Sequence, residues 1–180
     1  LRSLGLSIAS SGVGAVSARR GGAPRGLFRR PRSGAAAFNR TRHMDPNGAE
    51  AGVAYLAANK DKEGVVTLAS GLQYRVLEEG GGLEHPLVST PCECHYAGRL
   101  LDGTEFDSSY KRGTPTTFAP NQVIKGWTEA MQLMVQGDKW EMYIPYELAY
   151  GKGGKPPKIP QCACLIFIME IVKIKGETTP

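Results

Sequence analysis

The strongest constraint on the fold is an almost wholly apolar stretch, rich in β-branched side chains, at residues 162–174. Such a stretch is typical of a central strand that is buried on much of both faces. No apolar run in the chain approaches the roughly 18 residues that span a bilayer, so we do not expect a membrane protein. The sequence therefore predicts a sheet with this segment near its middle.

Alternation of period two predicts three further strands, at residues 72–77, 92–96 and 140–144. Asp102-Gly103, placed between Leu101 and Phe106, is a strong hairpin turn. The chain also holds 23 glycines and 12 prolines, which favours many turns and short elements over a helical bundle.

Two helices are predicted. Asp45-Pro46 is typical of a helix start, with an acid at the N-cap and proline at the first helical position, so we expect a helix over residues 47–60. Its expected apolar positions near one face are Val53, Leu56 and Ala57.

The second helix carries an apolar stripe at i, i+3, i+4 and i+7, formed by Trp127, Ala130, Met131 and Met134, and Gly137 is expected to end it. The sum is an α+β domain, a mostly antiparallel sheet wrapped on one short helix.

The positive charge of the chain belongs to its first 44 residues. The sequence has 22 basic and 17 acidic residues, and nine arginines but no acid lie in residues 1–44. The remainder has 22 − 9 = 13 basic against 17 acidic residues, a net charge of −4. A domain-wide footprint for nucleic acid is therefore missing, and we expect no nucleic-acid partner.

Composition divides the chain into a disordered basic tail at 1–44, a short helix and linker at 45–63, and the main domain at 64–176. The tail is Arg-rich, Ser-rich and free of acids, as in transit peptides, and its first part is weakly apolar, as in secretory signals. Two alternatives remain open. The protein is mitochondrial or secretory if the tail is a leader, and cytoplasmic if the tail is a plain extension.

The usual catalytic motifs are missing from the sequence. It has no nucleophile elbow, no paired zinc histidines and no phosphate-binding loop. Of three histidines only His95 lies on a predicted strand, where a structural role is expected. We expect neither a metal nor a cofactor.

The four cysteines form two C-x-C pairs, Cys92 with Cys94 and Cys162 with Cys164. If both pairs lie on adjoining strands, a four-thiolate zinc site or one disulfide is conceivable. Buried free cysteines that act as small apolar residues are the interpretation we favour.

A concentration of aromatic and apolar residues lies among the predicted turns. Its members are Tyr96, Phe106, Asp107, Phe118, Val123, Ile124, Trp127, Tyr150, Ile159 and Phe167. A pocket lined by rings with few polar groups suits an apolar or proline-like ligand.

Four blocks follow one another within residues 71–176. They are His95-Tyr96-x-Gly98, Asp102-Gly103-Thr104-x-Phe106-Asp107-Ser108-Ser109, Val123-Ile124-x-Gly126-Trp127 and Ile144-Pro145-x-x-Leu148-Ala149-Tyr150-Gly151. In order and spacing they resemble the FKBP-type peptidyl-prolyl isomerases, immunophilins that bind tacrolimus and rapamycin. Residues 70–74, Ser-Gly-Leu-Gln-Tyr, resemble the macrophage-infectivity-potentiator subgroup.

The resemblance implies a curled antiparallel half-barrel of five or six strands around a helix at about residues 126–134. It implies a pocket with Trp127 as its floor. The Ile124 N–H and the Tyr150 hydroxyl would donate hydrogen bonds to the ligand. Asp107 would accept a hydrogen bond or orient Tyr96 and Arg112. The implied walls are Tyr96, Phe106, Val123, Ile124, Ile159 and Phe167.

The implied activity is rotation about X-Pro bonds in proline-containing polypeptides, with binding of tacrolimus-like or rapamycin-like macrolides. The macrophage-infectivity-potentiator subgroup often has a long N-terminal dimerisation region that this chain is too short to supply, so we expect a monomer. A non-catalytic module that holds proline-containing segments is the alternative. Three positions depart from the usual family pattern, Thr116, Lys158 and Gln161, and they bear on ligand preference.

Overall fold

The computed structural model describes residues 45–180, and the predicted basic tail lies outside the described residues. The helices are α1 (Ala49–Asn59), α2 (Ser109–Arg112) and α3 (Lys125–Met131). The strands are β1 (Val65–Thr67), β2 (Gln73–Glu78), β3 (His85–Pro86), β4 (Cys92–Arg99), β5 (Glu105–Ser108), β6 (Thr116–Phe118), β7 (Lys139–Ile144), β8 (Leu165–Ile174) and β9 (Thr178–Thr179). Within this part of the chain, no helix is long and apolar enough to cross a bilayer.

Seven strands form one antiparallel sheet in the order β1-β2-β7-β8-β4-β5, and β6 also pairs with β4. The first half of β4 pairs with β6 and its second half with β5, so these two short strands share one edge of β4. The resemblance implied five or six strands, and β6 brings the number to seven. β3 and β9 form a separate two-stranded ribbon.

The apolar stretch near the C-terminus is central, as its composition predicts. β8 lies between β7 and β4 and pairs with both along most of its length. Its regular part begins at Leu165, because the backbone at Cys162 has a φ of 55° and turns before the strand starts. The α+β prediction is confirmed.

Helix α3 packs on one face of this sheet. Its Trp127, Ala130 and Met131 are buried with Met142 and Ile144 of β7. Gly126 allows the close approach, because a Cβ atom there would lie 2.7 Å from Cγ2 of Ile144. The sheet and α3 enclose the core and leave an opening between them.

The prediction for the end of α3 was wrong. The helix ends at Met131, although Met134 is still fully buried. Turns replace the expected last turn, and the Asp138 carboxylate accepts hydrogen bonds from the N–H groups of Gly80 (2.7 Å) and Val135 (2.9 Å). A local side-chain acceptor competes with helical hydrogen bonding here.

Helix α1 packs on the opposite face of the sheet. Tyr55 lies 6.0 Å from Tyr143 of β7 between ring centroids, and the buried Asn59 donates to Gln73 of β2 at 3.0 Å. The predicted apolar face was right for Leu56, which is half-buried, and wrong for the other two positions, since Val53 is 65% exposed and Ala57 is also exposed. Gly52, Tyr55 and Asn59 share the packed face with Leu56 instead.

The predicted start of α1 was wrong as well. Gly48 is the N-cap, and Asp45 instead forms a preceding turn in which its backbone carbonyl accepts from the Gly48 N–H at 3.1 Å. The division of the chain at residues 44 and 63 stays a prediction.

The outer face of the sheet also carries a charged cluster. Glu141 accepts from Arg75 at 2.7 Å, from Arg99 at 2.6 Å and from the Tyr143 hydroxyl at 2.6 Å. Burial acts to raise the pKa of Glu141, but the Tyr143 hydrogen bond and the two guanidinium groups outweigh it, so the pKa is lowered. The carboxylate therefore stays ionised under the edge of α1.

All four cysteines are free. Cys92 lies opposite Ile174 and Arg99 lies opposite Ile166, so the two C-x-C pairs sit at opposite ends of the β4–β8 ladder. The expectation that Cys162 and Cys164 lie on a strand was wrong, because β8 begins only at Leu165. A shared four-thiolate site does not fit this geometry, and residues 45–180 contain no cluster of metal-binding side chains.

Candidate functional site

A cavity of about 730 Å³ opens between α3 and the concave face of the sheet. Fifteen residues line it: Tyr96, Phe106, Asp107, Phe118, Gln122, Val123, Ile124, Trp127, Tyr150, Lys155, Pro156, Pro157, Lys158, Ile159 and Phe167. Most of these side chains are aromatic or aliphatic. The cavity therefore has the chemical character of a site for an apolar ligand with a few polar anchors.

Trp127 is the centre of the aromatic lining. Ring centroids of Phe167, Tyr96 and Phe118 lie 4.8, 5.1 and 5.3 Å from it, and the first two pairs are edge-to-face. The buried indole N–H of Trp127 has no hydrogen-bond partner within the described residues. Packing therefore holds the ring without a hydrogen bond, and two of its three aromatic contacts have the edge-to-face geometry that aromatic pairs favour.

Gly98 of β4 lets two wall residues come together. Phe106 and Phe167 meet edge-to-face with centroids 5.4 Å apart. A Cβ atom at Gly98 would lie 2.4 Å from Phe167 and 2.6 Å from Phe106. The glycine of the His95-Tyr96-x-Gly98 block thus provides space for both rings.

Tyr96, Asp107 and Arg112 form a closed hydrogen-bonded triangle at one wall. The Tyr96 hydroxyl donates to Asp107 Oδ2 at 2.8 Å, Arg112 Nη2 donates to the Tyr96 hydroxyl at 2.8 Å, and Arg112 Nη1 donates to Asp107 Oδ1. Burial acts to raise the pKa of Asp107, but the bonds from Tyr96 and Arg112 lower it overall. Burial and the Asp107 hydrogen bond raise the pKa of Tyr96. Both groups thus keep one protonation state near neutral pH.

Ser109, at the start of α2, fixes the backbone of Tyr96. Its hydroxyl accepts from the Tyr96 N–H at 2.7 Å and donates to the Tyr96 carbonyl at 3.2 Å, and His95 Nδ1 lies 3.0 Å from it. The ring of His95 stacks on Tyr110, with centroids 4.7 Å apart. His95 does not line the cavity, in keeping with the structural role expected for it.

Ile124 stands at the N-cap of α3. Its carbonyl accepts from the N–H groups of Trp127 (2.9 Å) and Thr128 (3.0 Å). Its own N–H has no backbone partner within the described residues and is available to a ligand. The start of α3 therefore provides both the ring at the bottom of the cavity and a free donor.

The long loop between β7 and β8 forms the remaining rim. Lys155 and Ile159 bridge each other through backbone hydrogen bonds of 2.9 and 3.0 Å, with Pro156-Pro157 in the turn between them. The Lys155 ammonium lies 5.3 Å from the centroid of the Tyr150 ring. This arrangement brings Tyr150 and Ile159 to the same opening.

Family comparisons agree with this geometry. Two family models match the chain. Residues 84–172 match the model of the FKBP-type peptidyl-prolyl cis-trans isomerases. Residues 35–76 match the model of the domain amino terminal to FKBP-type peptidyl-prolyl isomerase. A solved peptidyl-prolyl cis-trans isomerase from Pseudomonas syringae is 36% identical with a TM-score of 0.66, over 71% of this chain and 93% of the other. The chain belongs to the FKBP-type isomerase family.

Several relatives within the FKBP family are longer than this chain. The macrophage infectivity potentiator of Trypanosoma cruzi is 54% identical over 61% of this chain and 56% of its own length. The Mip isomerase of Coxiella burnetii is 50% identical over 72% of this chain and 56% of its own length. The crystal structure of FkpA from Escherichia coli has a TM-score of 0.67 at 43% identity, covering 71% of this chain and 60% of FkpA. The chain thus spans little more than half the length of the curated relatives it matches.

The FKBP-type fold brings most of the predicted site residues together. Nine line the cavity: Tyr96, Phe106, Asp107, Val123, Ile124, Trp127, Tyr150, Ile159 and Phe167. Arg112 does not line it and contacts Asp107 and Tyr96 instead. Thr116, one of the positions that depart from the family pattern, lies on β6 and does not line it either.

Further lining residues were not predicted as site residues. Phe118 belonged to the aromatic group but received no role, and Gln122, Lys155, Pro156 and Pro157 were not considered. Gln122 Oε1 accepts from the Ala119 N–H at 2.9 Å, a local turn contact that no sequence pattern signals. The loop residues reach the cavity only through tertiary packing.

Proposed function

We propose that this chain is a peptidyl-prolyl cis-trans isomerase that accelerates X-Pro rotation in proline-containing polypeptides. The observation that carries the proposal is the aromatic cavity around Trp127, open to solvent and built by a chain of the FKBP-type family. The Mip relative from Coxiella burnetii and FkpA from Escherichia coli are both called peptidyl-prolyl cis-trans isomerases, which supports the same activity.

Apolar surroundings favour the rotation. The planar amide owes its barrier of about 20 kcal/mol to resonance that places negative charge on oxygen and positive charge on nitrogen. Rings such as those of Phe106, Trp127 and Phe167 stabilise this charge separation less than water does. Binding that favours the twisted amide lowers the barrier, and each ~1.4 kcal/mol of that preference raises the rate tenfold.

Two donors anchor the polypeptide on either side of the rotating bond. The Ile124 N–H is free, and the Tyr150 hydroxyl lies at the cavity. Each is suited to a backbone carbonyl of the substrate or of a macrolide. Rotation makes and breaks no covalent bond, so the reaction needs no nucleophile, and Asp107 serves to hold Tyr96 and Arg112 in place.

We propose that the same cavity binds tacrolimus-like and rapamycin-like macrolides. Such ligands combine a ring of proline-like shape with carbonyl groups, which match the aromatic walls and the two donors. A volume of about 730 Å³ lies within the range of small-molecule sites.

A protease-coupled assay with a short Leu-Pro peptide tests the proposal. We expect cis-to-trans conversion faster than the uncatalysed rate and proportional to the concentration of the protein. Peptide or tacrolimus binding without acceleration would instead identify a module that holds proline-containing segments.

A further inference from the structure

The rim of the cavity carries unpaired positive charge. Lys155 and Lys158 both line the opening, and neither has an ion-pair partner among residues 45–180. The Lys158 ammonium donates to the Phe106 carbonyl at 3.2 Å, and Lys155 lies over the Tyr150 ring. Both ammonium groups are therefore held beside residues that we expect to contact the substrate.

The nearby carboxylates do not neutralise these lysines, because they have partners of their own. Phe106 is flanked in the sequence by Glu105 and Asp107. Lys111 pairs with Glu105 at 2.7 Å, and Arg112 pairs with Asp107. The two carboxylates and their two partners cancel, which leaves a net charge of +2 from the two lysines.

This local charge is opposite to that of the domain as a whole. Residues 45–180 carry 13 basic and 17 acidic residues, a net charge of −4. The field of the whole domain would repel an acidic peptide, whereas the rim attracts it at close range. Within residues 45–180, attraction of an acidic side chain would therefore come from contact at the rim and not from the long-range field. The nine arginines of residues 1–44 bring the full chain to a net charge of +5, so the test needs a control for total charge.

We infer that Lys155 and Lys158 contribute to specificity, and that the enzyme prefers an Asp or Glu next to the isomerised proline over the neutral Asn or Gln of the same shape. The inference rests on the proposed function and adds the substrate class. A residue adjacent to a proline bound over Trp127 lies at the mouth of the cavity, where the two ammonium groups are. The Phe106 carbonyl occupies one of the three donors of Lys158, so that group keeps donors for a carboxylate.

Two matched peptide pairs test the inference by NMR exchange spectroscopy on the full chain. One pair is acetyl-Ala-Glu-Pro-Phe-amide and its Gln analogue, and the other carries Glu or Gln after the proline. An exposed ion pair changes an equilibrium by up to about fivefold. We expect a Glu-to-Gln ratio of kcat/KM of about two to five at low salt in at least one pair, falling toward one at 0.5 M NaCl.

The second experiment reverses the charge of the rim lysines. Lys158→Glu removes the net rim charge and should bring the ratio close to one, and reversing Lys155 as well should bring it below one. Lys60→Glu is the matched control, because it changes the total charge equally but lies at the C-terminal end of α1, on the other face of the sheet. The ratio is taken within each variant, so partial unfolding cancels.

The outcomes separate this inference from the proposed function. Acceleration of the Gln peptides with a Glu-to-Gln ratio of one in both pairs overturns the inference alone. An equal drop of the ratio in Lys60→Glu also overturns it, because the whole field would then be responsible. If no peptide isomerises faster than without protein, the proposed function fails and the inference fails with it.

Discussion

Replacing Gly98 by alanine should close the cavity from the sheet side. The new Cβ atom would lie 2.4 Å from a carbon of the Phe167 ring and 2.6 Å from one of the Phe106 ring. Ordinary contact begins at about 3.4 Å, so the Phe167 ring has to move by about 3.4 − 2.4 = 1.0 Å. Phe167 lines the cavity and its ring centroid lies 4.8 Å from that of Trp127, so we expect the displaced ring to narrow the cavity.

Two measured quantities should change in Gly98→Ala. Overpacking of a filled site costs about 1–3 kcal/mol, and the stiffer unfolded chain returns about 0.4–1 kcal/mol. We therefore expect the free energy of unfolding to fall by roughly 0–2.6 kcal/mol. Displacement of a site group by about 1 Å can cost two orders of magnitude in rate, so kcat/KM should fall by about 10- to 100-fold.

Urea unfolding and the peptide isomerisation assay measure these changes. Gly81→Ala is the matched control, because a Cβ atom at Gly81 meets no atom within 4 Å. It should raise the free energy of unfolding by no more than the ~0.4–1 kcal/mol of the stiffer unfolded chain and leave the rate unchanged. If Gly98→Ala isomerises peptides as fast as the parent protein, the Phe106–Phe167 wall does not take part in catalysis.

The remaining predictions concern single groups. Tyr150→Phe should weaken tacrolimus binding in calorimetry by about 0.5–1.5 kcal/mol, because one hydrogen bond is lost. Tyr110→Phe is the control and should not weaken binding, because Tyr110 lies outside the cavity. If Tyr150→Phe binds tacrolimus as tightly as the parent protein, Tyr150 does not belong to the site. Because the pKa of Asp107 is lowered and that of Tyr96 is raised, neither titrates near neutrality, so kcat/KM should be flat from pH 6 to 8, and a bell-shaped profile would contradict the mechanism. As the pH falls through the lowered pKa of Asp107, the stability contributed by its ionised form should be lost. Thiol titration of the native protein should modify Cys162 alone, since the other three cysteines are buried, and activity should survive it; inactivation would show that this thiol is needed.

Periodicity located the elements because it reports burial directly. The strands around Tyr74, Cys94 and Met142 alternate in the sequence, and the β8 stretch is apolar on both faces, so the central sheet could be predicted. The ends of α1 and α3 could not. Asp138 accepts from the Val135 N–H, which follows α3 and would otherwise continue the helix. Gly52 replaces Val53 on the packed face of α1 because Cys164 lies against it.

The cavity-lining residues likewise include some that could be predicted from the sequence and some that could not. Rings such as Trp127 and Phe106 stand out in the sequence as motif residues, and their roles remain predictions although the fold brings them together. Lys155 and the two prolines after it occupy an irregular loop, and their approach to Tyr150 depends on the bridge between Lys155 and Ile159. No local pattern encodes such long-range placement.

The central claim is that the cavity around Trp127 catalyses X-Pro rotation. NMR exchange spectroscopy measures cis–trans interconversion of a Leu-Pro peptide at equilibrium, without a coupling protease. We predict that catalytic amounts of the full chain raise the exchange rate and that one equivalent of tacrolimus returns it to the uncatalysed value. Exchange that stays at the uncatalysed rate while tacrolimus binds, or acceleration that persists with the drug bound, would contradict the account.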